Sequence, residues 1–157
     1  MTESTGELDA AQAALAAEHA AVYGYGVVGA RIGDERGGEA TEAYDAHRAR
    51  RDLLHRTVRD LGGTPVAADV AYALPFEVGD SAGAAELAAE LETRLAGAYA
   101  DLVLAARGER RRDAAAAMRD TVVRAARWRG ALPDPFPGLA EYAPGGGGRA
   151  EEGGTDE

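Results

Sequence analysis

Glu18, His47 and Glu92 are the three side chains whose types and spacing could do chemistry. Each falls on the apolar stripe of a different helical segment, so each should point into a core. Carboxylates and an imidazole converging from separate helices are the donors of a carboxylate-bridged pair of metal ions. The full set takes one glutamate from each of two helices and a Glu-x-x-His pair from each of two others. Glu18 and Glu92 stand where the single carboxylates belong. On the second helix the pair reads Tyr44-x-x-His47, so the histidine is there and the bridging carboxylate is not. On the fourth, Arg124-x-x-Arg127 lies about where the other pair should be, with arginines in place of ligands.

Two carboxylates and one imidazole hold at most a single iron, manganese or zinc ion, and weakly unless water completes the shell. His19 neighbours Glu18 but is rotated about 100° from it along the helix, which makes it a spare ligand only after a helix rotation. The competing reading is metal-free. A buried ionised glutamate is costly unless paired, and Arg51, Arg124 and Arg127 are within reach along the helices. Tyr44, Arg48 and Tyr99 would complete that buried polar network. This second reading is the one favoured, so no resident cofactor and no enzymatic activity are expected.

Other polar patterns read as structure. Asp52-x-x-His55 is turned away from the stripe of Leu54, Val58 and Leu61, and fits a solvated face of ion pairs. Tyr23, Tyr25, Tyr44, Tyr99 and Trp128 need partners for their polar tips if buried. Gly24, Gly26 and Gly29 suggest a close helix–helix approach, since no strand precedes them to make a nucleotide loop. Cysteine is absent, which removes disulfides, thiolate metal sites and a cysteine nucleophile.

Four helices must position these residues. The first should run from about Glu7 to Ile32, with Leu8, Ala11, Leu15, Glu18, Val22, Tyr25, Gly29 and Ile32 on one face. A turn over Gly33, Gly37 and Gly38 precedes the second, from about Glu39 to Leu61, which stops at Gly62-Gly63-Thr64-Pro65. The third spans about Ser81 to Ala106, and the fourth about Arg110 to Arg129 after a break at Gly108. Short turns make antiparallel hairpins of helices one and two and of three and four. Between the hairpins lie roughly 20 residues with no helical period, enough to travel about 66 Å when extended. A long crossover between two hairpins is the ferritin-like topology, not the simple up-and-down bundle. Residues 1–140 form this domain. Residues 141–157, Gly-rich and acidic, are expected to be a disordered tail, with Phe136 and Leu139 pinning the preceding stretch to the body.

Composition agrees with an all-α chain. It has 157 residues, 46% apolar and only 6% aromatic, and its 17 basic residues are all arginine. The net charge is −10. An acidic chain with no evident basic concentration argues against nucleic acid and anionic membrane as partners. No targeting sequence and no long apolar run is present, so a cytoplasmic protein is expected.

The stretches AALAAEHAAVYGYGVVGARI, AYDAHRARRDLL, AYALPFEV and RAARWRGAL with FPGL together resemble a ferritin-like family of unknown function common in high-GC bacteria. The resemblance covers roughly residues 8–140. It implies a ferritin-like four-helix bundle with no established activity. Its distinctive polar positions would be Glu18, His19, Tyr44, His47, Arg48, Glu92, Tyr99, Arg127 and Trp128. By analogy it also implies a homodimer, while the metal-free reading leaves the bundle to bind an unidentified protein partner, another copy of itself or a small ligand.

Overall fold

The computed structural model describes residues 2–130, with side chains from Thr5 onward. They form four helices: α1 (Thr2–Arg31), α2 (Asp34–Asp60), α3 (Ser81–Ala105) and α4 (Gly108–Arg129). The expectations for Phe136, Leu139 and the acidic tail lie outside the described residues. None of the helices is long and apolar enough to cross a membrane.

Two boundaries differ from the sequence reading. Helix α2 begins at Asp34, because Gly33 alone, at φ 80, reverses the chain. Gly37 and Gly38 then lie inside α2, where Asp34 and Glu35 favour the positive end of the helix dipole. Helix α1 begins well before Glu7. That residue is buried in the second turn and takes two hydrogen bonds from Arg110, at 2.5 and 3.1 Å, tying the start of α1 to the start of α4.

The other ends follow local rules. Gly62 (φ 83) closes α2 with its N–H on the Arg59 carbonyl, and Gly63 N–H reaches the Val58 carbonyl. That pair of bonds satisfies carbonyls the helix leaves open. The Asp80 carboxylate caps α3 by accepting from Gly83 N–H at 2.8 Å. Gly130 ends α4 in the left-handed region.

Helix α1 packs on both α2 and α3, and α3 also packs on α4. No Cα of α2 comes within 8 Å of one in α4. Long side chains close that gap instead. Arg50 meets Asp120 at 2.7 Å. The Arg36 guanidinium lies 4.0 Å over the Trp128 ring and donates to the Arg127 carbonyl.

Residues 61–80 run the length of the bundle between the hairpins. The Gln12 side chain clamps them by donating to the Thr64 carbonyl at 2.6 Å and accepting from Val66 N–H at 2.9 Å. Farther on, Leu74, Phe76 and Val78 turn inward at every second residue and pack on the core. This period of two is that of an extended chain.

The apolar stripes meet in two clusters. Ala11, Leu15, Leu54, Val58, Leu95 and Leu102 belong to one. Val28, Ile32, Ala40, Ala43, Leu87 and Ala88 belong to the other. On α2 and α3 the buried residue between the two clusters is polar, His47 or Glu92, and on α1 the buried Glu18 lies one turn before Ala21, the last α1 residue of the first cluster.

Of the three glycines expected to mark a close approach, only Gly24 does. A Cβ there would lie 2.5 Å from Leu91 Cδ1, whereas Gly26 and Gly29 face open space. The two kinds of position should therefore respond to alanine with opposite sign. Gly26→Ala should stabilise by about 0.5–1 kcal/mol through helix propensity alone. Gly24→Ala should lose that gain and more, since crowding a packed contact costs about 1–3 kcal/mol. Urea unfolding of the two variants checks both signs.

Candidate functional site: a buried carboxylate–imidazole layer

His47 lies between the two glutamates and is bonded to both. Its Nδ1 is 2.8 Å from Glu18 Oε2 and its Nε2 is 2.9 Å from Glu92 Oε1. All three side chains have at most 1% of their surface exposed. A carboxylate only accepts, so a ring bonded to a carboxylate at each nitrogen donates from both and carries a positive charge. Burial works against that charge. The two hydrogen bonds and the negative charges of Glu18 and Glu92 outweigh it, holding the pKa up at about 9.

Two tyrosines complete the layer. Tyr99 donates to Glu18 Oε1 at 2.5 Å, and Tyr25 donates to Glu92 Oε1 at 2.6 Å. Burial, followed by the charge of the neighbouring glutamate, pushes both phenols well above their ordinary value, so both remain donors. Trp128 Nε1–H donates in turn to the Tyr25 hydroxyl at 2.9 Å. The Tyr25 ring stacks on His47 with centroids 5.2 Å apart. A continuous chain therefore crosses the bundle: Tyr99, Glu18, His47, Glu92, Tyr25, Trp128. One atom in it, Glu92 Oε2, is buried with no partner among the described residues.

The other side chains singled out from the sequence lie elsewhere. His19 bonds the Val66 carbonyl of the crossover at 3.0 Å and does not face the layer. Arg48 is exposed beside Asp45, with its guanidinium 5.7 Å over the half-buried Tyr44 ring. Arg51 pairs with Asp52 at the surface. Arg127 is exposed, and Arg124 is half-buried, reaching the layer only through the effect of its charge on Tyr25. The glutamates are thus paired by His47 and the two tyrosines, not by arginine. The sequence places Tyr25 on the inner face of α1 and the family resemblance singles out Trp128, but neither reading assigns them to the glutamate layer. Asp52, held below the usual carboxylate range by its bond to Arg51, belongs to the ion-pair face. The Glu7–Arg110 pair had no sequence signal beyond opposite charge.

A carboxylate-bridged pair of metals does not fit these residues. Helix α4 puts Thr121, Ala125 and Trp128 inward and no ligand. The two nitrogens of His47 point in divergent directions, each to its own carboxylate, so the three donors bracket the ring without converging on one point. Among the described residues no group of three or more His, Cys, Asp or Glu is placed to hold a metal ion.

Two hairpins joined by a lengthwise crossover, with a glutamate–histidine layer at mid-height, define a ferritin-like four-helix bundle. The same fold occurs in a ferritin-like, diiron-carboxylate protein from Bacillus anthracis str. Ames, with a TM-score of 0.64 and 14% identity over 81% of this chain and 92% of that one. Residues 10–141 match the family described as a domain of unknown function, DUF4439, and the chain belongs to that family. A conserved hypothetical protein, rv2844, from Mycobacterium tuberculosis is similar at 34% identity and a TM-score of 0.78, over 80% of this chain and 96% of that one. No protein with a curated description matches the chain.

Proposed function

We propose that this protein is a non-enzymatic interaction module, a bundle in which a charged hydrogen-bonded layer stands where related folds carry metal. The observation that supports this reading most directly is the double engagement of His47. A metal would have to displace a proton held by one carboxylate, while the other carboxylate stays on the far side of the ring. The layer fixes three helices in register, as buried polar groups do in some bundles. What the body then offers is its surface, to a second copy or to another protein.

The test is metal content by elemental analysis, after incubation with ferrous iron, manganese or zinc and desalting. The expected result is no stoichiometric retention. Retention close to stoichiometric, lost in Glu18→Gln and in Glu92→Gln, would overturn the reading. It would favour the alternative, a single-ion or redox protein. One observation supports that alternative: the unpartnered Oε2 of Glu92, which could face an ion.

A further inference from the structure

Charge is distributed unevenly over the bundle. Helix α4 carries seven arginines against three acids, within a chain of net charge −10. Six of them are exposed, and of these Arg110 pairs with Glu7, leaving five: Arg111, Arg112, Arg119, Arg127 and Arg129. None of the five forms an ion pair among the described residues. The acids of α4 lie elsewhere: Asp120 is turned to Arg50 of α2, Asp113 lines the groove between α2 and α4, and Glu109 sits in the first turn. Between the arginines come Ala115, Ala116, Ala126 and the exposed Val123. The result is a basic stripe one helix wide, which averaging over the whole sequence conceals.

We propose that this arginine stripe is the docking surface for the chain's own acidic segment, residues 141–157. That segment has Glu141, Glu151, Glu152, Asp156 and Glu157 against the single Arg149. The guanidinium fork suits carboxylates. Chain connectivity supplies proximity, because Gly130 ends α4 itself. The 17 residues of the segment can themselves span about 56 Å when extended, longer than a 22-residue helix at about 1.5 Å per residue, so the segment can reach along α4 with residues 131–140 held against the body. A tether of that kind holds the acidic segment at an effective concentration in the millimolar range.

Other polyanions fit less well. The stripe presents no exposed aromatic ring for a base to stack on, since Trp128 is buried under Arg36. Val123 is the sole large apolar side chain exposed on α4, too little for a helix to lie in a membrane interface.

The absence of cysteine makes the test direct. In the full chain, Ala150→Cys takes a nitroxide label, and amide signals along α4 are followed by NMR. The expected result is selective broadening at Ala115, Ala116 and Val123 in low salt. It should be lost near 1 M salt, where the Debye length falls to about 3 Å. The same loss is expected in Arg112→Gln/Arg119→Gln, whose melting should be unchanged because both side chains are exposed. Broadening spread evenly over the bundle, or persisting in the arginine variant, would overturn the proposal. So would equal broadening of an isotope-labelled, nitroxide-free chain mixed with the nitroxide-labelled one, which would place the segment on a second copy.

Discussion

His47→Leu is expected to be less stable than the parent by about 3–5 kcal/mol, the usual result of removing one partner from a buried ionic cluster. For a single domain whose whole stability is about 5–15 kcal/mol, that is a large share. Leucine fills most of the space and suits a helix, so lost packing and propensity contribute little. The loss comes from Glu18 and Glu92. Each keeps its tyrosine, at 2.5 and 2.6 Å, but gives up its only bond to a positive charge. The explanation has its own check. Adding Glu18→Gln and Glu92→Gln to His47→Leu should recover part of the stability, because amides in the same places carry no charge. Urea unfolding of the parent, single and triple variants would settle it. A triple variant no better than the single one would trace the loss to packing instead.

Raising the pH should weaken the fold through the same residue. The folded state holds the His47 pKa at about 9, above an unfolded value of about 6.5. A pKa raised by folding means that the native state binds the proton more tightly. Its contribution is complete below about pH 6.5 and is lost as pH climbs through about 9, amounting to about 3 kcal/mol over that window. The expected observation is a urea midpoint that falls steadily between those limits and then levels off. His47→Leu, which has no such proton, should show a flatter profile across the same window. A parent profile as flat as that of His47→Leu would mean that the ring is not the buried cation of the layer.

Much of the fold is visible in the spacing of residues. The stripes place Ala11, Leu15, Glu18 and Tyr25 of α1 inward, together with His47, Leu54 and Val58 of α2 and Glu92, Leu95, Tyr99 and Leu102 of α3, and all are buried. A period of 3.6 residues fixes which side of a helix faces the core without reference to any partner. The helix ends were less certain. Gly33, Gly37 and Gly38 all permit a turn, yet a single left-handed residue is enough, and which of the three is used depends on how α2 must enter the bundle. The interrupted metal motif was equally plain, since an absent carboxylate on α2 and an absent pair on α4 are facts of sequence.

Partner choice was not visible. Arg51, Arg124 and Arg127 were plausible counter-ions for the glutamates on charge and position along their helices. In the folded chain Arg127 is exposed, while Arg51 and Arg124 are half-buried and still reach water, as long flexible cations do. His47 is short and already on the seam, so it meets both carboxylates without carrying a charge in from the surface. His19 shows the same dependence on packing, because the crossover that takes up its ring arrives from residues far along the chain. The sequence by itself determined the number of helices, their inward faces, the crossover and the absence of a Glu-x-x-His pair on α2 and α4, because these follow from local periodicity and residue type. The tertiary structure alone decided that His47, not an arginine, lies between the buried glutamates and bonds both. That depends on distances between helices, to which a pattern along one helix is blind.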